Sequence, residues 1–177
     1  MRQRLGGAQV ELRAFRTEYA DLIQFDPATL AAGNVGRARN EGLELSGRWP
    51  LGEVTTLRVG GVLQDPRACE PDCDDGARLV RRARRTGTLQ LAAQIGGATY
   101  ALDVLAVGRR ADFDSGDFSD TELPGYALVN IGAQAELAPG WTVRARIENA
   151  LDREYQTVEG YRQAARSGAV TVGWSLQ

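Results

Sequence analysis

The chain contains no histidine and no lysine, and it has only two cysteines among 177 residues. Without histidine, the sequence excludes Ser–His nucleophilic catalysis and histidine-ligated metal sites. Two thiols fall short of the four ligands that a structural zinc site needs. We therefore expect no catalytic residue, no resident metal and no cofactor. The net charge of −2 gives no bulk attraction to nucleic acid, so we expect no nucleic-acid partner.

The sequence also lacks a long apolar run. The stretch 91–108 comes nearest to a membrane helix, but Gly96 and Gly97 lie at its centre, where a helix interior disfavours them. Two strands joined by a tight turn explain this stretch better. No secretory signal peptide is visible, because residues 1–4 lead into a glycine pair and not into an apolar segment. A cytosolic protein is one reading of this start. We favour the other, in which the chain is the C-terminal part of a longer exported protein.

What the sequence does contain is an alternation of apolar and polar residues with the period of a β-strand. Near the C-terminus, Val170, Val172 and Trp174 alternate with Thr171 and Gly173. The same pattern recurs along the chain and predicts an all-β protein of about eight strands. The predicted strands span 8–25, 37–49, 54–64, 84–95, 99–110, 126–137, 141–148 and 167–177.

The predicted connections alternate strictly between long and short. The long ones are 26–34, 65–80, 111–124 and 154–166, and the short ones are 50–53, 96–98 and 138–140. Transmembrane β-barrels show this alternation, because their periplasmic turns are short and their extracellular loops are long. Trp49 and Trp141 lie beside short turns and Trp174 lies near the end of the last strand, so all three are expected at the periplasmic interface. A soluble β-sandwich binding module remains the alternative.

One motif near the C-terminus carries a family resemblance. The segment 148–155, Glu-Asn-Ala-Leu-Asp-Arg-Glu-Tyr, resembles the hairpin that precedes the closing strand in TonB-dependent outer-membrane receptors. The segment from Tyr161 through 165–166 to Gln177 resembles that closing strand. Two further segments, 34–44 and 79–83, extend the resemblance over nearly the whole chain. Within the family, the likeness is greatest to receptors for vitamin B12 (cobalamin).

The resemblance implies that residues 1–177 are the C-terminal portion of a barrel of about 22 strands. The plug domain and the N-terminal strands would be absent from this chain. The implied function is uptake of a corrinoid ligand across the Gram-negative outer membrane, driven by the TonB complex acting through the missing plug, with no enzymatic activity. The alternatives are a receptor for an iron chelate (a siderophore) and a small self-closed structural barrel in contact with outer-membrane lipid.

Arginines cluster where the predicted strands meet the long loops, at 81–82, 84–85 and 109–110. A hairpin would bring these clusters to one rim, where guanidinium groups can bind an anionic or amide-rich ligand with paired hydrogen bonds. The resemblance implies Arg81, Arg82 and Arg110 as the ligand contacts. The alternative is that these arginines pair with anionic lipopolysaccharide or with acids of the loops.

The acidic loop after the third predicted strand holds both cysteines. Cys69 and Cys73 are expected to form a small disulfide in an oxidising compartment. Asp72, Asp74 and Asp75 could bind Ca²⁺ through their carboxylates, but we favour a solvated loop.

A further set of charges lies on the polar side of the alternating pattern and is expected to face the barrel lumen. There it could contact the plug domain, line the permeation route or be solvated by water. The set consists of Glu44, Arg48, Arg58, Asp103, Arg144, Arg146 and Glu148.

The chain ends on Gln177, where receptors of this family usually end on an aromatic residue, and Trp174 and Leu176 are expected to face lipid.

Overall fold

The computed structural model describes residues 2–5, 7–26, 29–34, 36–69 and 72–175, and Leu176 and Gln177 lie outside these ranges. The described residues contain fifteen strands. In chain order the strands are β1 (Arg2–Leu5), β2 (Ala8–Ala20), β3 (Ile23–Asp26), β4 (Ala31–Asn34), β5 (Arg37–Leu51), β6 (Thr55–Ala68), β7 (Arg85–Ile95), β8 (Ala98–Val107), β9 (Arg110–Phe113), β10 (Asp120–Leu123), β11 (Tyr126–Ala138), β12 (Trp141–Glu148), β13 (Gln156–Val158), β14 (Tyr161–Arg162) and β15 (Ser167–Trp174).

Nine of these strands form one antiparallel sheet in the order β1-β2-β5-β6-β7-β8-β11-β12-β15. The prediction of an all-β antiparallel fold is confirmed. Three tight turns, at 52–54, 96–97 and 139–140, join strands at one end of the sheet, which we name the turn end. The long connections all lie at the opposite end, which we name the loop end. Among the described residues, β1 and β15 are the two edges of the sheet.

The register of the strands separates two faces. Trp49 pairs with Leu57, and the row continues through Leu91, Leu102 and Ile131. Because directly paired residues point the same way, this row lies on a single face, which we name the apolar face. The neighbouring row, on the polar face, consists of Arg48, Arg58, Gln90, Asp103 and Asn130. The alternation in the sequence therefore corresponds to two sides of one sheet.

Large side chains remain exposed along the apolar face, including Leu43, Leu45, Leu63, Val170 and Val172. A water-soluble sheet buries such a face against a second layer, whereas the lipid-facing side of a membrane barrel leaves it exposed. No helix in the described ranges has the length and apolarity needed to cross a membrane.

The tryptophans lie at the turn end, as predicted. Trp141 pairs directly with Trp174, and their ring centroids are 6.1 Å apart. The Trp49 ring lies over Gly47, where an added Cβ would come within 2.1 Å of the ring. A side chain at position 47 would therefore displace the Trp49 ring.

The structure corrects the predicted strands in four places. β6 runs on to Ala68, beyond the predicted end at 64, and β8 ends at Val107, before the predicted end at 110. The predicted strand 8–25 is interrupted, because Asp21 has a φ of 55° and the chain turns there into β3. A short strand, β1, precedes the first predicted one and pairs with β2. Its four residues, next to a glycine pair, are too few to display a period of two.

Three of the long connections also contain hairpins that the alternation did not predict. These are β3–β4, β9–β10 and β13–β14. Side-chain burial is concentrated where the loops pack on the strand ends, at Ala38, Leu79, Leu123, Arg110 and Asp112. The loop end is therefore a folded layer with its own small core, and it positions the candidate site.

Candidate functional site

Asp112, in β9, connects three segments at the loop end. Its side chain has no exposed surface and accepts a hydrogen bond from Nε of Arg81 at 3.0 Å. It also accepts the backbone N–H of Glu159 and that of Phe113, each at 2.9 Å. The backbone N–H of Arg81 in turn donates to the carbonyl of Ala111 at 2.7 Å. One buried carboxylate thus holds the loop before β7 and the β13–β14 hairpin against β9.

Arg110 is buried in the same layer and is only 5% exposed. Its guanidinium donates a hydrogen bond to the carbonyl of Gln156 and lies 5.2 Å from the ring centroid of Tyr126. Tyr126 also contacts Tyr155, with ring centroids 4.5 Å apart. A buried cation requires such partners. Arg110 therefore fixes the β13–β14 hairpin over the end of β11.

A cavity of about 670 Å³ opens between the tips of the β9–β10 and β13–β14 hairpins, and we name it the hairpin cavity. Aromatic rings from both hairpins line it, together with one cation, two acids and several smaller polar groups. This mixture can hold a partly apolar ligand through ring contacts and orient it through hydrogen bonds. The lining residues are Arg81, Phe113, Asp114, Ser115, Phe118, Thr157, Val158, Glu159, Tyr161 and Gln163.

A second cavity, of about 480 Å³, lies where β7 and β8 meet the loops, and we name it the arginine cavity. Arg84 pairs with Asp65 at 3.2 Å and Arg109 pairs with Glu122 at 3.1 Å. Glu122 is the single acid in the lining, so the cavity is strongly cationic. The lining residues are Pro66, Arg78, Arg82, Arg84, Arg85, Gly108, Arg109, Arg110, Ala111, Thr121 and Glu122.

The three arginines expected to contact a ligand all lie at this rim, but in different settings. Arg81 lines the hairpin cavity, and its side chain remains 44% exposed beside Asp112. Arg82 and Arg110 line the arginine cavity, where Arg82 is exposed and Arg110 is buried. Their contact with a ligand stays a prediction.

Sequence reasoning missed Asp112 and Tyr161. Two signals could have pointed to Asp112. It alternates with Arg110 within the short segment 110–113, and this polar pair lies where the predicted strand 99–110 ends. Neither signal identifies Arg81 as its partner, because that pairing depends on how two distant loops pack.

The acidic loop is tied to the sheet. Cys69 and Cys73 form a disulfide. Asp74 accepts a hydrogen bond from Arg39 at 2.5 Å, and this guanidinium lowers the pKa of Asp74 below its usual value. Asp72 accepts the backbone N–H groups of Asp74 and Asp75 at 2.8 and 3.1 Å. Within the described ranges, no group of three or more His, Cys, Asp or Glu residues is placed to hold a metal ion.

Asn149 organises the hairpin motif that carried the resemblance. It adopts a left-handed backbone conformation, with φ of 50°, and is almost fully buried. Its side-chain amide donates to the carbonyls of Arg153 and Ala164, and its side-chain oxygen accepts the N–H of Arg153. Its own N–H donates to the side chain of Asn130 in β11. One side chain thus closes both ends of the loop between β12 and β15.

The charges on the polar face form local pairs. Arg146 pairs with Glu148 at 3.0 Å, and Arg144 donates to Gln134 at 2.8 Å. Glu44 lies 3.9 Å from Arg13. The polar face can therefore be solvated without long-range partners, and a contact with a plug domain stays a prediction.

A family model described as "TonB dependent receptor-like, beta-barrel" matches residues 2–150, which is most of the chain. The chain belongs to the TonB-dependent receptor β-barrel family. It is accordingly a Gram-negative outer-membrane protein of a family of transport receptors. The apolar face is the side of this barrel segment that meets lipid, and the polar face lines the lumen.

Solved receptors share the fold of this TonB-dependent receptor segment. The copper transporter OprC is 14% identical, with a TM-score of 0.77 over 99% of this chain. FpvA of P. aeruginosa, solved with bound pyoverdines and iron, is 14% identical, with a TM-score of 0.75 over 97% of this chain. The siderophore receptor PiuA of Acinetobacter baumannii is 18% identical, with a TM-score of 0.71 over 94% of this chain. The chain spans only 30%, 25% and 26% of these three proteins, respectively.

Proposed function

We propose that this chain is part of a TonB-dependent receptor that takes up a ferric chelate of the siderophore class. The hairpin cavity is the observation that carries the proposal. Its volume of about 670 Å³ is in the range of cavities that enclose small ligands. Phe113, Phe118 and Tyr161 offer ring surfaces, and Arg81 offers a cation that suits an anionic chelate.

The related structures support the same ligand class. PiuA is described as a siderophore receptor, and FpvA was solved with pyoverdines and iron. OprC, in contrast, is described as a copper transporter. The corrinoid reading rests on sequence resemblance alone and is the weaker of the two.

In this proposal, residues 1–177 form the C-terminal portion of the receptor barrel. The plug domain and the other strands belong to parts of the receptor outside these residues. The loops capture the chelate at the loop end, and the TonB complex then moves the plug. The lumen-facing charges, such as Arg146 and Glu148, lie along the route that the ligand follows.

Binding to the intact receptor tests the proposal. The probes are the ferric complexes of a catecholate and of a hydroxamate chelator, with cyanocobalamin as the competing ligand. We expect one of the ferric complexes to bind and Tyr161→Ala to weaken its binding about 3- to 10-fold, the range for one lost aromatic contact. Tyr161 is well suited because its side chain is 68% exposed at the cavity.

Tyr100→Ala is the matched control. Tyr100 is also an exposed tyrosine, but it lies on the apolar face near the turn at 96–97. Its replacement should leave chelate affinity unchanged. Binding of cyanocobalamin in preference to both ferric complexes would contradict the proposed ligand class. Equal losses of chelate affinity in the two tyrosine variants would show that the hairpin cavity is not the binding site.

A further inference from the structure

Asp112 lies behind the hairpin cavity and contacts the cation of its lining. The side chain of Asp112 has no exposed surface, so a ligand in the cavity cannot touch it. Its partner Arg81 does line the cavity, with a side chain that is 44% exposed. Asp112 can therefore influence a bound ligand only through the groups that it positions.

Arg81 is anchored to β9 by its backbone as well as by its side chain. Its N–H donates to the carbonyl of Ala111 at 2.7 Å, and its backbone has a φ of 61°. A left-handed conformation is uncommon for a residue with a side chain, and it persists where surrounding contacts hold it. Both ends of this side chain are thus fixed against residues 111 and 112, which limits the directions that the guanidinium can take.

The hydrogen bond to Asp112 leaves most of the donors of Arg81 available. Nε is the donor in that bond, and over the part of the chain that the structure describes the two terminal nitrogens have no hydrogen-bond partner. These nitrogens form a planar fork that matches the two oxygens of a carboxylate. Because Nε is held by Asp112, the plane of the fork is set before a ligand arrives, and less conformational freedom is lost on binding.

The other charges of the lining make this fixed direction important. Asp114 and Glu159 also line the cavity, so one cation stands against two acids and there is no net positive charge to attract an anion. Attraction of an oxyanion therefore depends on directed hydrogen bonds from Arg81. Among the described residues, Asp112 is the only ion-pair partner of Arg81. Without Asp112, Arg81 would be free to turn toward the acids of the lining instead of toward a ligand.

We propose that Asp112 is a positioning residue that makes the hairpin cavity selective for a ferric chelate with a free carboxylate, one that does not coordinate the iron. This inference rests on the proposed function and names the ligand chemistry that the cavity prefers. Asp112 holds the guanidinium of Arg81 on one side, and the carboxylate of the ligand accepts two hydrogen bonds from its terminal nitrogens on the other. The rings of Phe118 and Tyr161 contact the rest of the chelate.

Equilibrium titration of the intact, detergent-purified receptor tests the proposal. The probes are the ferric complexes of a trihydroxamate and of a tricatecholate chelator, each prepared with a pendant carboxylate and with the matching carboxamide. Within each pair the iron centre and the size are the same, and only one charge differs. For the chelator class that binds, we expect the carboxylate form to bind about 10-fold more tightly than the carboxamide form, as charge-assisted hydrogen bonds require.

Three variants show whether this preference depends on the link between Asp112 and Arg81. Asp112→Asn keeps the shape and removes the charge that holds Nε, so the preference should fall to about 1- to 2-fold. Arg81→Gln should have the same effect, and the double variant should be no worse than either single one, because the two residues act as one unit. Asp65→Asn is the control, since Asp65 pairs with Arg84 of the same loop and does not line the hairpin cavity. It should keep the full preference.

Folding of each variant is checked by heat-modifiable electrophoretic mobility, and Arg81→Lys replaces Asp112→Asn if the latter does not fold. Lysine keeps the charge but offers no planar fork, so it should lose most of the preference. Full retention of the preference in Arg81→Lys would identify a simple cation site and would overturn the proposal.

Two further outcomes would also overturn it. One is equal affinity of the wild-type receptor for the carboxylate and carboxamide forms. The other is an equal loss of affinity for both forms in Asp112→Asn, because a purely structural role would leave their ratio unchanged. Either result would leave the ferric-chelate function intact, whereas failure of all four ferric complexes to bind would contradict that function and this proposal with it.

Discussion

At the residue scale, Asp112 joins two loops that are distant in sequence, whereas Asn149 closes the single loop between β12 and β15. Asn149 lies in the segment 148–155, whose motif carries the family resemblance. Its physical role was not visible, since the carbonyl of Ala164 that it binds lies outside the motif. Asp112 carried no motif at all. Residues whose partners depend on loop packing are the part of a site that a single sequence does not reveal.

Asn149→Ala should loosen the loop between β12 and β15. The change removes buried hydrogen bonds worth about 1–3 kcal/mol in total, so local opening should become roughly 10- to 100-fold more frequent. The rate of tryptic cleavage within 151–166 measures this opening. Asn149→Gly should be less severe, because glycine accepts the φ of 50° without strain. Gln163→Ala, an exposed change in the same loop, is the control. Wild-type cleavage rates in Asn149→Ala would contradict this role.

At the element scale, the alternation of apolar and polar residues predicted the eight long strands of the main sheet and the end at which each loop lies. It failed at the loop hairpins. The β9–β10 hairpin is held by tertiary contacts, such as that of Asp112 with Arg81, and not by its own apolar pattern. Local periodicity reveals a buried face only when that face is apolar, and the face that β9 buries carries Arg110 and Asp112.

Leu91→Arg should block membrane folding, whereas Gln90→Arg should be tolerated. Leu91 lies on the apolar face and Gln90 lies next to it on the polar face. An arginine facing lipid at mid-membrane costs about 2–4 kcal/mol, and one facing the lumen costs far less. The folded fraction in lipid vesicles, judged by heat-modifiable mobility, distinguishes the two variants. Equal behaviour would mean that the apolar face does not contact lipid.

The acidic loop should loosen in acid. The hydrogen bond from Arg39 lowers the pKa of Asp74, so the stabilisation is present above the usual carboxyl pKa of 3.8 and is lost as the pH falls through the lowered value. Hydrogen exchange at the amide of Ala68, which donates to Ala77 of this loop, reports the change. Protection should drop below pH 3.8 in the wild type and already be low in Asp74→Asn. Identical pH profiles of hydrogen-exchange protection in the two proteins would contradict a stabilising role for the hydrogen bond from Arg39 to Asp74.

At the scale of the whole molecule, the sequence predicts the family and the location of the protein but not its ligand. The family and the outer-membrane location followed from the strand pattern and the motif, and the match over residues 2–150 supports both. The identity of the ligand could not be predicted from the sequence, because specificity resides in loops whose shape depends on packing. The resemblance implies a corrinoid, whereas the ferric chelate that we propose is argued from the hairpin cavity.

We propose that the receptor containing this chain carries a ferric chelate across the outer membrane by a TonB-dependent route. Uptake of radiolabelled iron, supplied as the chelate that binds best in vitro, tests it most directly. Cells should accumulate the label when both the receptor and TonB are present, and deletion of either should abolish accumulation. Accumulation that persists without TonB, or uptake of labelled cobalamin in place of iron, would contradict the account.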